Sequence, residues 1–368
     1  MSNKISLYRR GHDLGAIPEG FLSRSLNEKP GDRINAWQQG EAIMLHKFCS
    51  DALINSSKDL TNAERLYNLV LQGERACEEL LDETPYRSKL RPKFELLGSS
   101  INEGDEQEIE TVLFDVIADQ RIIAEDLWMK VSWLSFHEED ASLRFRFSFG
   151  VDLHEDVAAD EARQHYASLL TDAIFPESRL ISNNNRLLAL LDEVLTNDCE
   201  TSHSNEIKFV ERIVYFNAPN GGAYLHHDRE RGHAGVVFAQ LTGQTFWLAI
   251  AKYQLYKELK SFYHDCQKNN RWPNNIDQAK QDELLRLVSD KNYCDEQLES
   301  FSNDILIAVI NETKEFVQQL INNGYGYHLK PGDVILLPQE TEANCCWHSV
   351  FCVGEQVGQA LSFAIRKN

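Results

Sequence analysis

The sequence predicts an α+β protein: a barrel or jelly roll of short strands in residues 141–368, a mainly helical N-terminal region at 1–140, and a helical insertion at about 252–323. Three observations predict it. In the N-terminal region apolar residues recur at three- and four-residue intervals, as in Leu66, Leu69, Val70 and Ala76, the period of a one-sided helix. From Ile207 onward that period gives way to short runs punctuated by Gly, Pro and Asn, the pattern of strands joined by tight turns. No Gly-rich phosphate loop of either nucleotide-binding type is present, which argues against a parallel nucleotide-binding sheet.

Taken in order, Ala36–Leu53 and Ala63–Leu81 read as helices. A third helix is expected from Gln107 to Trp133, where Ile109, Val112, Leu113, Val116, Ile117 and Ile122 form an apolar stripe. Lys89–Lys93 and Gly98–Gly104 are the polar breaks between them. Leu143, Phe145, Phe147 and Phe149 then alternate with polar residues, which makes a half-buried strand. Asp160–Leu170 and Asn185–Leu195 return to helix. Strands are expected at Ile207–Phe216, Ala223–Asp228, Ala234–Leu241 and Thr245–Ala251, with turns at Asn217–Gly222 and Thr242–Gly243. After the helical block Lys252–Asn323 come strands at Tyr325–Leu329, Val334–Leu337, Cys345–Val353 and Ala360–Arg366. The insertion carries Tyr253, Tyr256, Phe262, Tyr263 and Trp272, able to form either a lid or a helical pair packed outside the barrel.

Composition narrows the class of partner. The 368 residues include 37 Lys plus Arg against 57 Asp plus Glu, a net charge of −20. Nucleic-acid binding driven by bulk charge is disfavoured, since phosphate recognition needs a basic footprint; a small molecule or basic peptide is compatible. No apolar run reaches the length of a membrane span, and Met1–Gly15 has no apolar signal segment. Eight cysteines without a C-x-x-C pair read as reduced thiols. The expectation is an acidic cytoplasmic protein without a membrane segment.

The sharpest local feature is Tyr224-Leu-His-His-Asp228. In an extended strand His226 and Asp228 project to one side and His227 to the other. An imidazole and a carboxylate at that spacing can share a metal ion, and Cys346-Trp-His348 offers a third ligand. Two His and one carboxylate leave open positions on an octahedral ion, which suits Fe(II) better than four-coordinate zinc. A second His-x-Asp, His154-Glu-Asp156, reads as an exposed polar segment leading into a helix; His233 falls in the polar run Asp228–His233.

The ordered set His226-His-Asp228, Gln240-Leu-Thr-Gly-Gln-Thr-Phe-Trp247, Gly332-Asp333 with Pro338, and Trp347-His-Ser-Val350 resembles the JmjC-like branch of the cupin superfamily. The resemblance covers roughly Ile207–Ala251 and Tyr325–Arg366. It implies a double-stranded β-helix (jelly-roll) core and an Fe(II)- and 2-oxoglutarate-dependent dioxygenase, with O2 as co-reactant and His226, Asp228 and His348 as iron ligands. Hydroxylation of an unactivated C–H bond in a small-molecule, amino-acid or peptide substrate, with 2-oxoglutarate decarboxylated to succinate, is the implied outcome.

One departure matters. The family's basic residue for the remote carboxylate of 2-oxoglutarate falls at Thr245, which is not basic. An unpaired carboxylate in a barrel is costly, so Arg366, in the strand after the last His ligand, is the expected substitute, with Thr245 adding a hydroxyl. Tyr224, Asn217 and Gln240 are further candidates for contact with cosubstrate or substrate, and Cys346 and Cys352 share strand parity with His348. Two other classes stay open: a metal-binding cupin that uses no 2-oxoglutarate (dioxygenase or isomerase), and a non-catalytic cupin-fold interaction protein. The helical N-terminal region also makes a homodimer an expectation.

Overall fold

In the computed structural model, which describes residues 4–24, 30–73, 75–150, 160–196, 207–229, 233–300 and 303–367, the chain opens with an antiparallel hairpin, β1 (Lys4–Arg9) and β2 (His12–Pro18). Next come α1 (Pro30–Gln38), β3 (Ile43–Leu45), α2 (Ser50–Asn55), α3 (Ser57–Gln72), α4 (Cys77–Leu81) and α5 (Tyr86–Leu90). The helical period between 63 and 70 is realised as the buried face of α3, Ala63, Leu66, Tyr67 and Val70. Ala36–Leu53, expected as one helix, is broken by β3.

Three long strands follow: β4 (Phe94–Ser100), β5 (Glu108–Ala118) and β6 (Arg121–Trp133). The helix expected over Gln107–Trp133 is therefore a correction: the segment is the β5–β6 hairpin. Its turn residues Asp119 and Gln120 both take positive φ, 51° and 61°, the left-handed pair of a tight hairpin turn without the Asn-Gly or Asp-Gly that usually announces one. Val112, Phe114 and Val116 bury at a period of two. Pairing with β4 on one side selects that period over the helical one the same residues could also satisfy.

The chain continues through β7 (Leu143–Phe149), α6 (Glu161–Ile174), α7 (Arg179–Ser182), α8 (Asn185–Thr196), β8 (Ile207–Asn217), β9 (Gly235–Gln240) and β10 (Gln244–Ala251). The insertion folds as α9 (Lys252–Asn269), α10 (Gln278–Ser289), α11 (Lys291–Ser300), α12 (Asp304–Glu312) and α13 (Lys314–Asn322). The last strands are β11 (Gly326–Leu329), β12 (Val334–Pro338), β13 (Cys346–Val353) and β14 (Gly358–Lys367).

Two facing sheets define the architecture. In the larger, β12, β9, β14 and β8 are neighbours in that order; in the smaller, β13 and β11 flank β10, and the extended segment Ala223–His226 is bridged to β13. Apart from β10 and β11, which stay in the smaller sheet on either side of the insertion, successive strands from β8 onward thus cross between sheets in the winding of a jelly roll. The core is a double-stranded β-helix. Phe238, Trp247, Tyr327, Leu337 and Val350 pack between the sheets. The outer face of the larger sheet, with Phe145, Val214 and Phe363, packs on α3, α6 and α8. The outer face of the smaller sheet, with Phe246, Trp347 and Phe351, packs on the insertion and the β1–β2 hairpin. Tyr256, Phe262, Tyr263 and Trp272 belong to that packing.

Beyond β8 the larger sheet runs on through β7, β6, β5 and β4. The boundary expected near residue 140 therefore falls between two strands, β6 and β7, that pair along their length. Among the described residues, no helix is long and apolar enough to cross a membrane.

Candidate metal centre

The metal-ligand segment is aimed by a bulge. Ala223 exchanges both backbone hydrogen bonds with Val350 (3.1 and 2.9 Å), and His226 does the same with His348 (2.9 and 2.8 Å). Three steps along one strand oppose two along the other, so one residue is extra. The extra N–H, on Leu225, is taken by Asn311 Oδ1 of α12 at 2.7 Å. Arg9, 1% exposed, completes the support. Its guanidinium donates to Ala223 O at 2.6 Å and to Asn311 O at 3.1 Å, between the Tyr224 and Phe351 rings.

This register brings His226, Asp228 and His348 together, with one ligand atom from each lying within 4.8 Å of the others. Asp228 Oδ1 is 3.7 Å from His226 Nε2, and Oδ2 is 3.4 Å from His348 Nε2. Donors each about 2 Å from one ion lie no more than about 4 Å apart, so the carboxylate's separation from each imidazole fits a shared cation. His226 Nδ1 donates to Tyr224 O (2.7 Å) and His348 Nδ1 to Cys346 O (3.3 Å). Both Nε2 lone pairs are thereby left for a metal, the tautomer control that ligating imidazoles need. Burial pushes His348 down to about 4, with the neighbouring His226 adding to the shift. Burial alone would raise Asp228, but the facing imidazoles of His348, His226, His233 and His227 hold its carboxyl below the usual value. Neutral imidazoles and an ionised carboxylate are the forms a divalent ion binds.

Residues that sequence reasoning passed over complete the setting. Gln339, fully buried, accepts from Asp228 N at 3.3 Å and donates to Cys346 O at 2.9 Å, tying the two ligand strands. Trp247 stacks against the His348 ring, 5.5 Å between centroids and 23° between planes. His233 is 5% exposed and faces Asp228 and Glu211. No local pattern marks Gln339, because its partners come from three separate segments. His227 turns to the insertion, 3.1 Å from Glu299 and edge-on to Trp347.

A cavity of about 1100 Å³ opens in front of the triad. Tyr224 and Asn217 line it. Gln240 and Thr245 do not: both are fully buried behind Trp247. Thr245 Oγ1 donates to Gln240 Oε1 (2.7 Å) and accepts from Trp247 Nε1 (2.9 Å), so its hydroxyl is spent. Arg366 sits beside His233 at the far end of β14, outside the lining residues. Ala360 pairs with Gln240 whereas Arg366 pairs with Lys208. Six residues of strand, about 20 Å, separate the two ends, so Arg366 and Thr245 cannot grip one carboxylate together. Cys346 and Cys352 are buried free thiols, raised by burial, and neither lines the cavity. His154–Asp156 lies outside the described residues.

No known protein family matches the chain, and no curated protein matches it in sequence. Among solved structures, the chain is similar to the ribosomal oxygenase YcfD from Escherichia coli, at 12% identity and TM-score 0.28, over 94% of this chain and 53% of that one. A second structure of E. coli YcfD gives 12%, 0.27, 94% and 55%. An oxidoreductase of the 2OG-Fe(II) oxygenase family from Burkholderia pseudomallei gives 9% identity and TM-score 0.31, over 94% of this chain and 93% of that one. This chain spans about half the length of the ribosomal oxygenase. The fold assignment rests on the sheet order, and the chemistry on the triad.

Proposed function

We propose that the protein is an Fe(II)- and 2-oxoglutarate-dependent oxygenase that hydroxylates an unactivated C–H bond of a small molecule, amino acid or peptide. The observation that supports this reading is the convergence of two Nε2 atoms and one carboxylate at the wall of a large cavity. Among the described residues the donor set stops at three, leaving one side of an ion for 2-oxoglutarate and O2. Iron, when bound, supplies the redox chemistry. The chain's own residues do the rest. His226 and His348 present fixed lone pairs, Asp228 stays ionised, and Gln339 holds the two ligand strands in step. Val236, Phe238, Leu337 and Val350 give the cavity an apolar wall that excludes water and orients substrate.

The test is anaerobic Fe(II) titration followed by a succinate assay with 2-oxoglutarate in air. One Fe(II) per chain and Fe(II)-dependent succinate are expected, with both lost in His226→Ala, Asp228→Ala and His348→Ala. Stoichiometric iron without succinate would instead favour a cupin dioxygenase or isomerase that uses no 2-oxoglutarate, the reading that the sealed Thr245 supports. Absence of stoichiometric iron would leave the non-catalytic interaction protein.

A further inference from the structure

The cavity wall extends past the jelly roll onto β7, whose inward face adds Arg144 and Arg146. The cations on this wall are not equivalent. Arg146 pairs with the Glu211 carboxylate, and Lys130 with Glu108 at 2.9 Å. Arg144 meets no carboxylate among the described residues: Nε donates to Ser132 Oγ at 2.7 Å and Nη2 to Gln107 Oε1 at 3.4 Å. Both partners are neutral, and most of the five guanidinium donors stay unspent.

A second unspent donor lies nearby in the fold. Arg144 pairs with Tyr215 across β7 and β8, and Tyr215 is within electrostatic reach of both Arg144 and Asp228. Two residues further along the same face of β8, Asn217 lines the cavity, is 6% exposed, and its Nδ2 has no hydrogen-bond partner. A cation without a counter-charge and a buried orphan amide are both unfavourable until an anion meets them.

We propose that Arg144, assisted by Asn217, binds the carboxylate of 2-oxoglutarate remote from the metal, in place of Thr245 or Arg366. The inference rests on the oxygenase reading above. A guanidinium fork can hold a carboxylate through two parallel hydrogen bonds, and Arg144 has both the spare donors and the uncompensated charge. Arg10, which also lines the cavity without a carboxylate partner among the described residues, instead donates Nη2 to Gly222 O at 2.8 Å and lies over the Tyr224 ring.

The test is calorimetric binding of 2-oxoglutarate and of 2-oxobutyrate to the anaerobic Fe(II)-loaded full chain. The second acid keeps the chelating end and lacks the remote carboxylate. The wild type should prefer 2-oxoglutarate by at least about tenfold. Arg144→Gln should abolish the preference by weakening 2-oxoglutarate alone, with Fe(II) and 2-oxobutyrate affinities unchanged. Arg144→Lys, which keeps the charge without the fork, should fall between, and serves as the readout if the glutamine variant does not bind iron. Retained preference in Arg144→Gln, or its loss in Arg366→Gln instead, overturns the assignment while the oxygenase reading stands. Iron-loaded wild type that binds neither acid overturns both.

Discussion

Gly222 ends the turn that leads from β8 into the metal-ligand segment, at φ +133°. A Cβ added there would stand 2.1 Å from Val350 O and 2.8 Å from Val350 C, both backbone atoms. Relief requires moving the next residue, Ala223, whose two hydrogen bonds to Val350 anchor the bulge. Losing that pair costs about 1 kcal/mol per bond, and the positive φ adds about 1–3 kcal/mol for a residue with a side chain. Gly222→Ala is therefore expected to destabilise the fold by about 3–5 kcal/mol. Urea unfolding measures that loss, and anaerobic Fe(II) titration shows whether His226 is still presented. Iron affinity should drop although all three ligands remain. A variant within about 1 kcal/mol of wild type and with unchanged iron affinity would refute the claim that the Ala223–Val350 pair aims His226.

Gln339→Ala leaves the ligands in place but cuts the bridge between Asp228 N and Cys346 O; Fe(II) affinity should fall about 10- to 100-fold with the far-ultraviolet circular dichroism unchanged. Trp247→Ala removes the ring stacked on His348 and the donor to Thr245; it should lower stability by about 3–5 kcal/mol in urea unfolding. Glu177 is 1% exposed, and burial raises its carboxyl to about 7. The folded chain then keeps a proton that the unfolded chain releases near 4.5, so stability is full below that pH and falls as pH rises toward 7. Denaturation of wild type and Glu177→Gln across pH 4–8 should show a fall of about 3 kcal/mol in the wild type that the glutamine variant lacks.

How much of this was legible in the sequence varies by element. The alternation of Leu143, Phe145, Phe147 and Phe149 is a local record of one buried face, and β7 buries those four residues. The strands from Ile207 to Arg366 are bounded by Gly and Pro turns that announce themselves, except that Ala223–Asp228, expected as a strand, is an extended segment joined to β13 only at Ala223 and His226. The β5–β6 hairpin did not, because Ile, Val and Leu at 109–122 suit either period and the turn Asp119–Gln120 carries no Gly. His226 and Asp228 were visible as a spacing. Gln339 and His233 were not, since their role depends on what lies across the fold.

By itself the sequence determined which side chains are available for metal chemistry and that short, turn-bounded strands carry them. Only the tertiary structure decided which of them meet. The bulge opposite β13 sets His226 against His348, and the register of β14 separates Arg366 from Thr245. The continuation of the sheet onto β7 brings Arg144 to the same cavity. Periodicity is a local property written along the chain; strand register is a pairwise one, settled by burial and hydrogen bonding between segments far apart in it.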